Sequence, residues 1–101
     1  MEIESFAWSV ARGWYRSWPL VVRFRQFPAE FDKSIYPIRL NVFWTMNSCS
    51  DNGLPLESEA ELLDLFENRL VEAVEKDGQS VLSVVLTCDR KREFVFHTSS
   101  A

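Results

Sequence analysis

Between Pro37 and Gly78 the sequence reads PIRLNVFWTMNSCSDNGLPLESEAELLDLFENRLVEAVEKDG, and the spacing of its apolar residues changes partway along. Ile38, Leu40, Val42, Trp44 and Met46 alternate with Arg39, Asn41, Phe43 and Thr45, the period of two shown by a half-buried strand. Asn47 to Leu56 reads as a loop, with Ser50-Asp51-Asn52-Gly53 as its turn and Pro55 as its stop. Beyond the loop the period becomes helical. The spacing predicts a helix over about 59–77, with Ser58 as its cap and Glu61 completing a capping box. Leu62, Leu63, Phe66, Leu70, Ala73 and Val74 form its apolar stripe, and Gly78 supplies the residue type that ends helices in the left-handed conformation.

The flanking segments repeat the strand pattern. Phe6, Trp8 and Val10 alternate with Ala7, Ser9 and Ala11, which predicts a first strand over about 5–11. The run Arg12-Gly13-Trp14-Tyr15-Arg16-Ser17 breaks the alternation, and Leu20, Val22 and Phe24 resume it against Val21, Arg23 and Arg25. After the helix, Leu82, Val84, Leu86 and Cys88 alternate with Val81, Ser83, Val85 and Thr87. A charged turn at Asp89-Arg90-Lys91 then leads into Arg92-Glu93-Phe94-Val95-Phe96-His97. The order β-β-β-α-β-β with short connections predicts one α+β domain over residues 1–101. Its largely antiparallel five-stranded sheet should carry one amphipathic helix on one face.

Composition narrows the function. With 101 residues, 47% of them hydrophobic, the chain is long enough for one core without disulfide or metal staples. A single histidine, His97, and two cysteines with no CxxC spacing, Cys49 and Cys88, argue against a zinc site and predict reduced thiols and no cofactor. No apolar run approaches the roughly 18 residues of a membrane span, and Glu2 and Glu4 do not suit a signal peptide, so a soluble cytoplasmic protein is expected. The net charge is −4. Residues 1–45 carry six basic and four acidic side chains, and residues 46–101 five and eleven. That excess is too small for the basic stripe of a non-specific nucleic-acid binder.

Three groups of residues are candidates for chemistry or binding. By alternation, the sheet face away from the helix carries Arg23, Arg25, Arg39 and Phe43, with Asn41, Thr45, Ser83, Val85, Thr87, Glu93, Val95 and His97 beside them. Aligned guanidinium groups would hold a phosphate or carboxylate while Phe43 stacks on a base; the other reading is an ordinary solvated sheet face. The helix carboxylates Glu57, Glu59, Glu61, Asp64, Glu67, Glu72, Glu75 and Asp77 read as a solvated face that suits the helix dipole, not as an acid–base or metal cluster. Trp14 and Trp18 lie in or beside the first turn, where they form either a contact patch or a cap on the open end of the sheet. His97 beside Thr98 and Ser99 lacks the turn and donors of a nucleophilic site.

Trp8, Pro19-Leu20-Val21-Val22-Arg23, Tyr36-Pro37, Gly53-Leu54-Pro55, Phe66-Glu67-x-x-Leu70 and Arg92-Glu93-Phe94-Val95-Phe96 occur in an order that resembles the bacterial domain-of-unknown-function family 695. The resemblance runs across nearly the whole chain. It implies a single α+β domain and offers no catalytic residues. It also implies an ion pair between Glu67 on the helix and Arg92 on the last strand. The chain departs from the pattern near Ala11, where the family has an aromatic, and just after the fifth strand, where members continue. Apolar surface left uncovered there is expected to be closed by a second copy.

The expectation from these readings is a non-enzymatic, cytoplasmic protein-interaction or regulatory module. It would bind a protein partner or form a homodimer through an edge strand or the Trp14 and Trp18 patch. The alternative is binding of RNA or a small anionic ligand through Arg23, Arg25 and Arg39, and a small hydrolase is a third class. No membrane, metal or cofactor is expected.

Overall fold

A computed structural model describes residues 7–27, 33–76 and 78–99. Five strands, β1 (Trp8–Tyr15), β2 (Trp18–Arg25), β3 (Ile38–Thr45), β4 (Ser80–Cys88) and β5 (Lys91–Thr98), form one antiparallel sheet in the order β1-β2-β4-β5-β3. The helix α1 (Glu57–Glu75) lies between β3 and β4 in the chain and packs on one face of the sheet. The expected element order is therefore the observed one. No helix among the described residues is long and apolar enough to cross a membrane.

Two boundaries differ from the sequence reading, each for a local reason. β1 runs on through Gly13, Trp14 and Tyr15, because the reversal takes only Arg16 and Ser17, with Arg16 at φ 57°. Residues 5 and 6, where the first strand was expected to begin, lie outside the described residues. α1 starts at Glu57, so Ser58 sits inside the first turn and does not cap it. The cap position is Leu56, whose carbonyl accepts from Ala60 N at 2.9 Å with no side-chain cap bond. The start is set by the preceding loop, where Cys49 and Pro55 form an isolated bridge and Leu56 N donates to Ser48 O at 3.1 Å.

That loop is clamped to the β4–β5 turn. Met46 N donates to Arg90 O at 2.8 Å and Arg90 N to Gly53 O at 2.9 Å. Gly53 has φ +80°, and a Cβ built there would lie 2.9 Å from the Asp89 Cα, so the backbones meet at a distance only glycine allows.

The core lies between α1 and the sheet, built on Met46, Leu63, Leu82, Val85, Phe94 and Phe96. The Phe66 ring is tilted against Trp44 at 4.9 Å and against Phe94 at 5.5 Å. Leu82 and Val85 reach the same side because the β4–β5 register slips between Leu82 and Val84. One extra residue in a strand exchanges the faces of everything beyond it. Val85 and Thr87, expected on the open face, therefore face the helix side, and Val84 and Leu86 take their place outside.

Candidate functional site

The helix side is held by carboxylates that the sequence reading placed in solvent. Glu59, Leu63, Glu67, Val71 and Glu75 follow one another at four-residue steps, which makes them a single ridge of α1. Each glutamate on the ridge meets a partner. Glu59 accepts from Trp44 Nε1 at 2.7 Å and from Ser48 N at 3.1 Å, fixing the loop to the helix start. Glu67 takes a two-pronged bond from Arg23, whose Nη1 donates to Oε2 at 2.9 Å and Nη2 to Oε1. Glu75 accepts from Arg25 Nη1 at 3.0 and 3.1 Å and from Leu82 N at 2.7 Å. Leu82 adjoins the slip in β4, so Glu75 ties the irregular strand to β2.

Arg23 and Arg25 are therefore not on the open face. In register, Arg23 opposes Val85 and Arg25 opposes Trp8, and both guanidinium groups lie over the Trp8 ring, at 4.7 and 4.9 Å from its centroid. The side chains of Arg25 and Glu75 are each only 3% exposed. The expected Glu67–Arg92 pair is also corrected: Glu67 pairs with Arg23, while Arg92 Nε donates to Thr87 Oγ1 at 2.9 Å. Burial, and next the charge of Arg23, pull the Arg92 pKa down, and Glu67 and Asp64 oppose that shift.

With the two arginines turned inward, β2 shows its apolar residues outward. Leu20, Val22 and Phe24 share the open face with Val84 and Leu86. Tyr15, Leu20, Phe43, Leu86, Cys88 and Asp89 line a trough of about 360 Å³ there, with Lys91 and Glu93 of β5 between Cys88 and Leu86 on one side and Phe43 on the other. Phe43 is 63% and Tyr15 57% exposed, so the two aromatics stand above the trough floor. Of the three arginines expected on this face only Arg39 is present. Its Nε donates to Asn41 Oδ1 at 3.2 Å, its Nη2 lies 3.9 Å from Glu93 Oε2, and Asn41 Nδ2 bonds the same carboxylate.

A second hollow, of about 350 Å³, opens where the chain leaves β2. Phe24, Phe27, Tyr36, Val81 and Val84 line it, and Ser83 and His97 are its polar members alongside Arg25. Ser83 Oγ lies 2.9 Å from His97 Nδ1 and donates to Val95 O at 3.1 Å. Ser83 and His97 thus meet across β4 and β5, and the imidazole tautomer sets which of them donates. Cys88 has its pKa raised, first by burial and then by Asp89, which keeps it a thiol. Cys49 packs half-buried against the core. Among the described residues no three His, Cys, Asp or Glu side chains are grouped to hold a metal.

The tryptophans divide as follows. Trp8 and Trp44 pack on the core, Trp18 is half-buried with Arg90 5.7 Å from its centroid, and Trp14 stands in solvent on β1. Trp14, Trp18 and Pro19 line a shallow hollow with Asp51 and Asn52.

The model of a family of unknown function, DUF695, matches residues 7–101. The chain belongs to the DUF695 family. No curated protein and no solved structure matches it. The short motifs that carry the resemblance do frame-building work in this DUF695 chain. Trp8 lies beneath Arg23, Glu67 pairs with that arginine, Gly53 allows the loop to meet the β4–β5 turn, and Tyr36 Oη donates to Gly78 O at 2.6 Å. Of the eight residues lining the trough, only Leu20 and Glu93 fall within those motifs. A signal for the trough was present all the same: β2 and β4 carry apolar residues on both faces, which marks a strand that something covers on each side.

Proposed function

We propose that this domain is a non-catalytic binding module that receives an apolar protein segment on the open face of its sheet. The observation that carries the reading is the trough of Tyr15, Leu20, Phe43, Leu86 and Cys88, an apolar surface on the side of an antiparallel sheet that ordinarily faces water. The occupant that fits is a short segment with one or two large apolar side chains for the surfaces of Tyr15, Leu20, Leu86 and Phe43 and polar groups to meet Lys91 and Glu93, which lie on β5 between β4 and Phe43. RNA or another polyanion fits the face less well, since Arg23 and Arg25 are engaged by Glu67 and Glu75 on the opposite side. Two unpaired thiols, Cys49 and Cys88, favour a reducing compartment such as the cytoplasm.

The test is retention of protein from a lysate of the source cells by immobilised wild-type domain and by Phe43→Asp, with washes at low and high salt. The reading expects a protein held by the wild type at both salt concentrations and lost from Phe43→Asp, with the variant's circular dichroism unchanged. Equal retention by the two domains overturns it. So does a bound fraction that is nucleic acid and elutes with salt.

A further inference from the structure

β1 is an edge strand with none of the usual guards against pairing. Its register with β2 is unbroken from Trp8 opposite Arg25 to Tyr15 opposite Trp18, so it carries no bulge, and its sequence WSVARGWY holds no proline and one charge, Arg12. The opposite edge, β3, is preceded by Pro37 and carries Arg39 and Asn41, which bond to each other and to Glu93 of β5.

The direction of the free backbone groups follows from the ladder. Gln26 N donates to Ala7 O at 2.7 Å, so Ala7 exchanges bonds with β2. In an antiparallel pair such residues alternate with residues that point away, so Ser9, Ala11, Gly13 and Tyr15 also turn inward. Trp8, Val10, Arg12 and Trp14 aim their N–H and C=O groups off the edge of the sheet, where no described strand meets them.

We propose that two copies of this chain pair through β1, antiparallel about a two-fold axis at Ala11. This proposal does not rest on the open-face reading. Outward groups recur at every second residue, so only registers that join Trp8, Val10, Arg12 and Trp14 to one another satisfy them. Centring on Arg12 sets two arginines directly opposite, and centring on Val10 leaves Trp14 beyond the pairing. Centring on Ala11 sets Trp8 opposite the second copy's Trp14 and Val10 opposite its Arg12, and all four outward residues on each copy are bonded. On the other face that register brings Ser9, Ala11 and Gly13 together, small residues that let the strands approach. Trp14 is 72% and Val10 55% exposed, and both are covered by the pairing. The two helices then lie on the same face of one continuous sheet.

Sedimentation velocity over a concentration series tests this, with four proteins compared. The wild type is expected to dimerise in the micromolar range with little dependence on salt. Val10→Pro removes only an N–H that points off the edge, so it keeps the wild-type circular dichroism and weakens the dimer by about 30-fold, two donors being lost per dimer. Val10→Lys removes no backbone donor and faces the second copy's Arg12, so it weakens the dimer by about tenfold whether or not the proline variant folds. Val10→Lys combined with Arg12→Glu restores attraction and returns the dimer to within about threefold of wild type. A wild type that stays monomeric up to about 1 mM overturns the proposal. A dimer indifferent to Val10→Lys overturns it, and a double variant that stays as weak as Val10→Lys overturns the register.

Discussion

Replacing Glu75 by leucine tests whether the carboxylate ridge holds the helix to the sheet. Glu75 accepts two bonds from Arg25 and one from the Leu82 N–H, and both side chains of the pair are buried. Glu75→Leu leaves the Arg25 charge uncompensated and a backbone donor without an acceptor, a combined cost of about 3–5 kcal/mol. A domain of this size has about 5–15 kcal/mol to lose, so the melting temperature should fall by about 12–30 °C. The double variant Arg25→Met with Glu75→Gln removes both charges and keeps an oxygen for Leu82 N. It also removes Arg25 Nε, a buried donor with no partner among the described residues. It should lie within about 1.5 kcal/mol of wild type and, compared with the single variants Arg25→Met and Glu75→Gln, should fall short of their summed cost by at least about 2 kcal/mol. Urea unfolding followed by tryptophan fluorescence and by far-ultraviolet circular dichroism measures all the differences, provided the two probes coincide. A Glu75→Leu cost below about 1 kcal/mol, or a double variant equal to the sum of its single changes, would refute the argument.

Gly53→Ala should destabilise the fold by at least about 2 kcal/mol, because φ is +80° and the new Cβ meets the Asp89 backbone at 2.9 Å. A thermal shift under about 4 °C would mean that the loop retreats without cost. Cys88 should react with iodoacetamide more slowly than an unfolded control at pH 8, its pKa being raised by burial and then by Asp89. The unfolded thiol ionises near 9.0 while the folded one keeps its proton, so Cys88 contributes stability that is present below that pH and lost as pH rises past it. Cys88→Ser should flatten that part of the stability profile, and an unchanged profile would remove the thiol as its cause.

What was legible in the sequence depended on how far each signal is local. The period change between Thr45 and Leu62 is local, and the element order read from it is the observed one. The faces were not legible in the same way, because they depend on partners distant in the chain. β2 has apolar residues at 20, 22 and 24 and charged ones at 23 and 25, and nothing within the strand says which set faces the helix. The answer lies some fifty positions away, in Glu67 and Glu75. The slip at Ser83 has no local signature either, since the strand is apolar on both sides of it. The four-residue steps from Glu59 through Leu63, Glu67 and Val71 to Glu75 were visible, and would have shown that three of the acids share a ridge with core residues.

The orientation of β2 bears on function as well as on stability. Turning that strand over would put Leu20, Val22 and Phe24 against the helix and Arg23 and Arg25 into water, the arrangement that hydrophobic burial alone favours by about 1.5–3 kcal/mol for each large side chain. The chain adopts the reverse, and Glu67 and Glu75 stand where they make the reverse possible by pairing the inward arginines. A domain that only had to fold would gain nothing from two internal ion pairs matched to an apolar exterior, since replacing such pairs by packed apolar residues is often neutral or stabilising. What the inverted strand produces is the trough floor at Leu20, next to Tyr15, Phe43 and Leu86. On this argument the arginine–glutamate pairs keep the proposed binding surface apolar, and a variant that exchanges the polarity of the two faces of β2, with Leu20 and Val22 made polar, Arg23 and Arg25 made apolar and Glu67 and Glu75 made glutamine so that no buried carboxylate is left unpaired, should fold about as stably as wild type and lose the partner that Phe43→Asp loses.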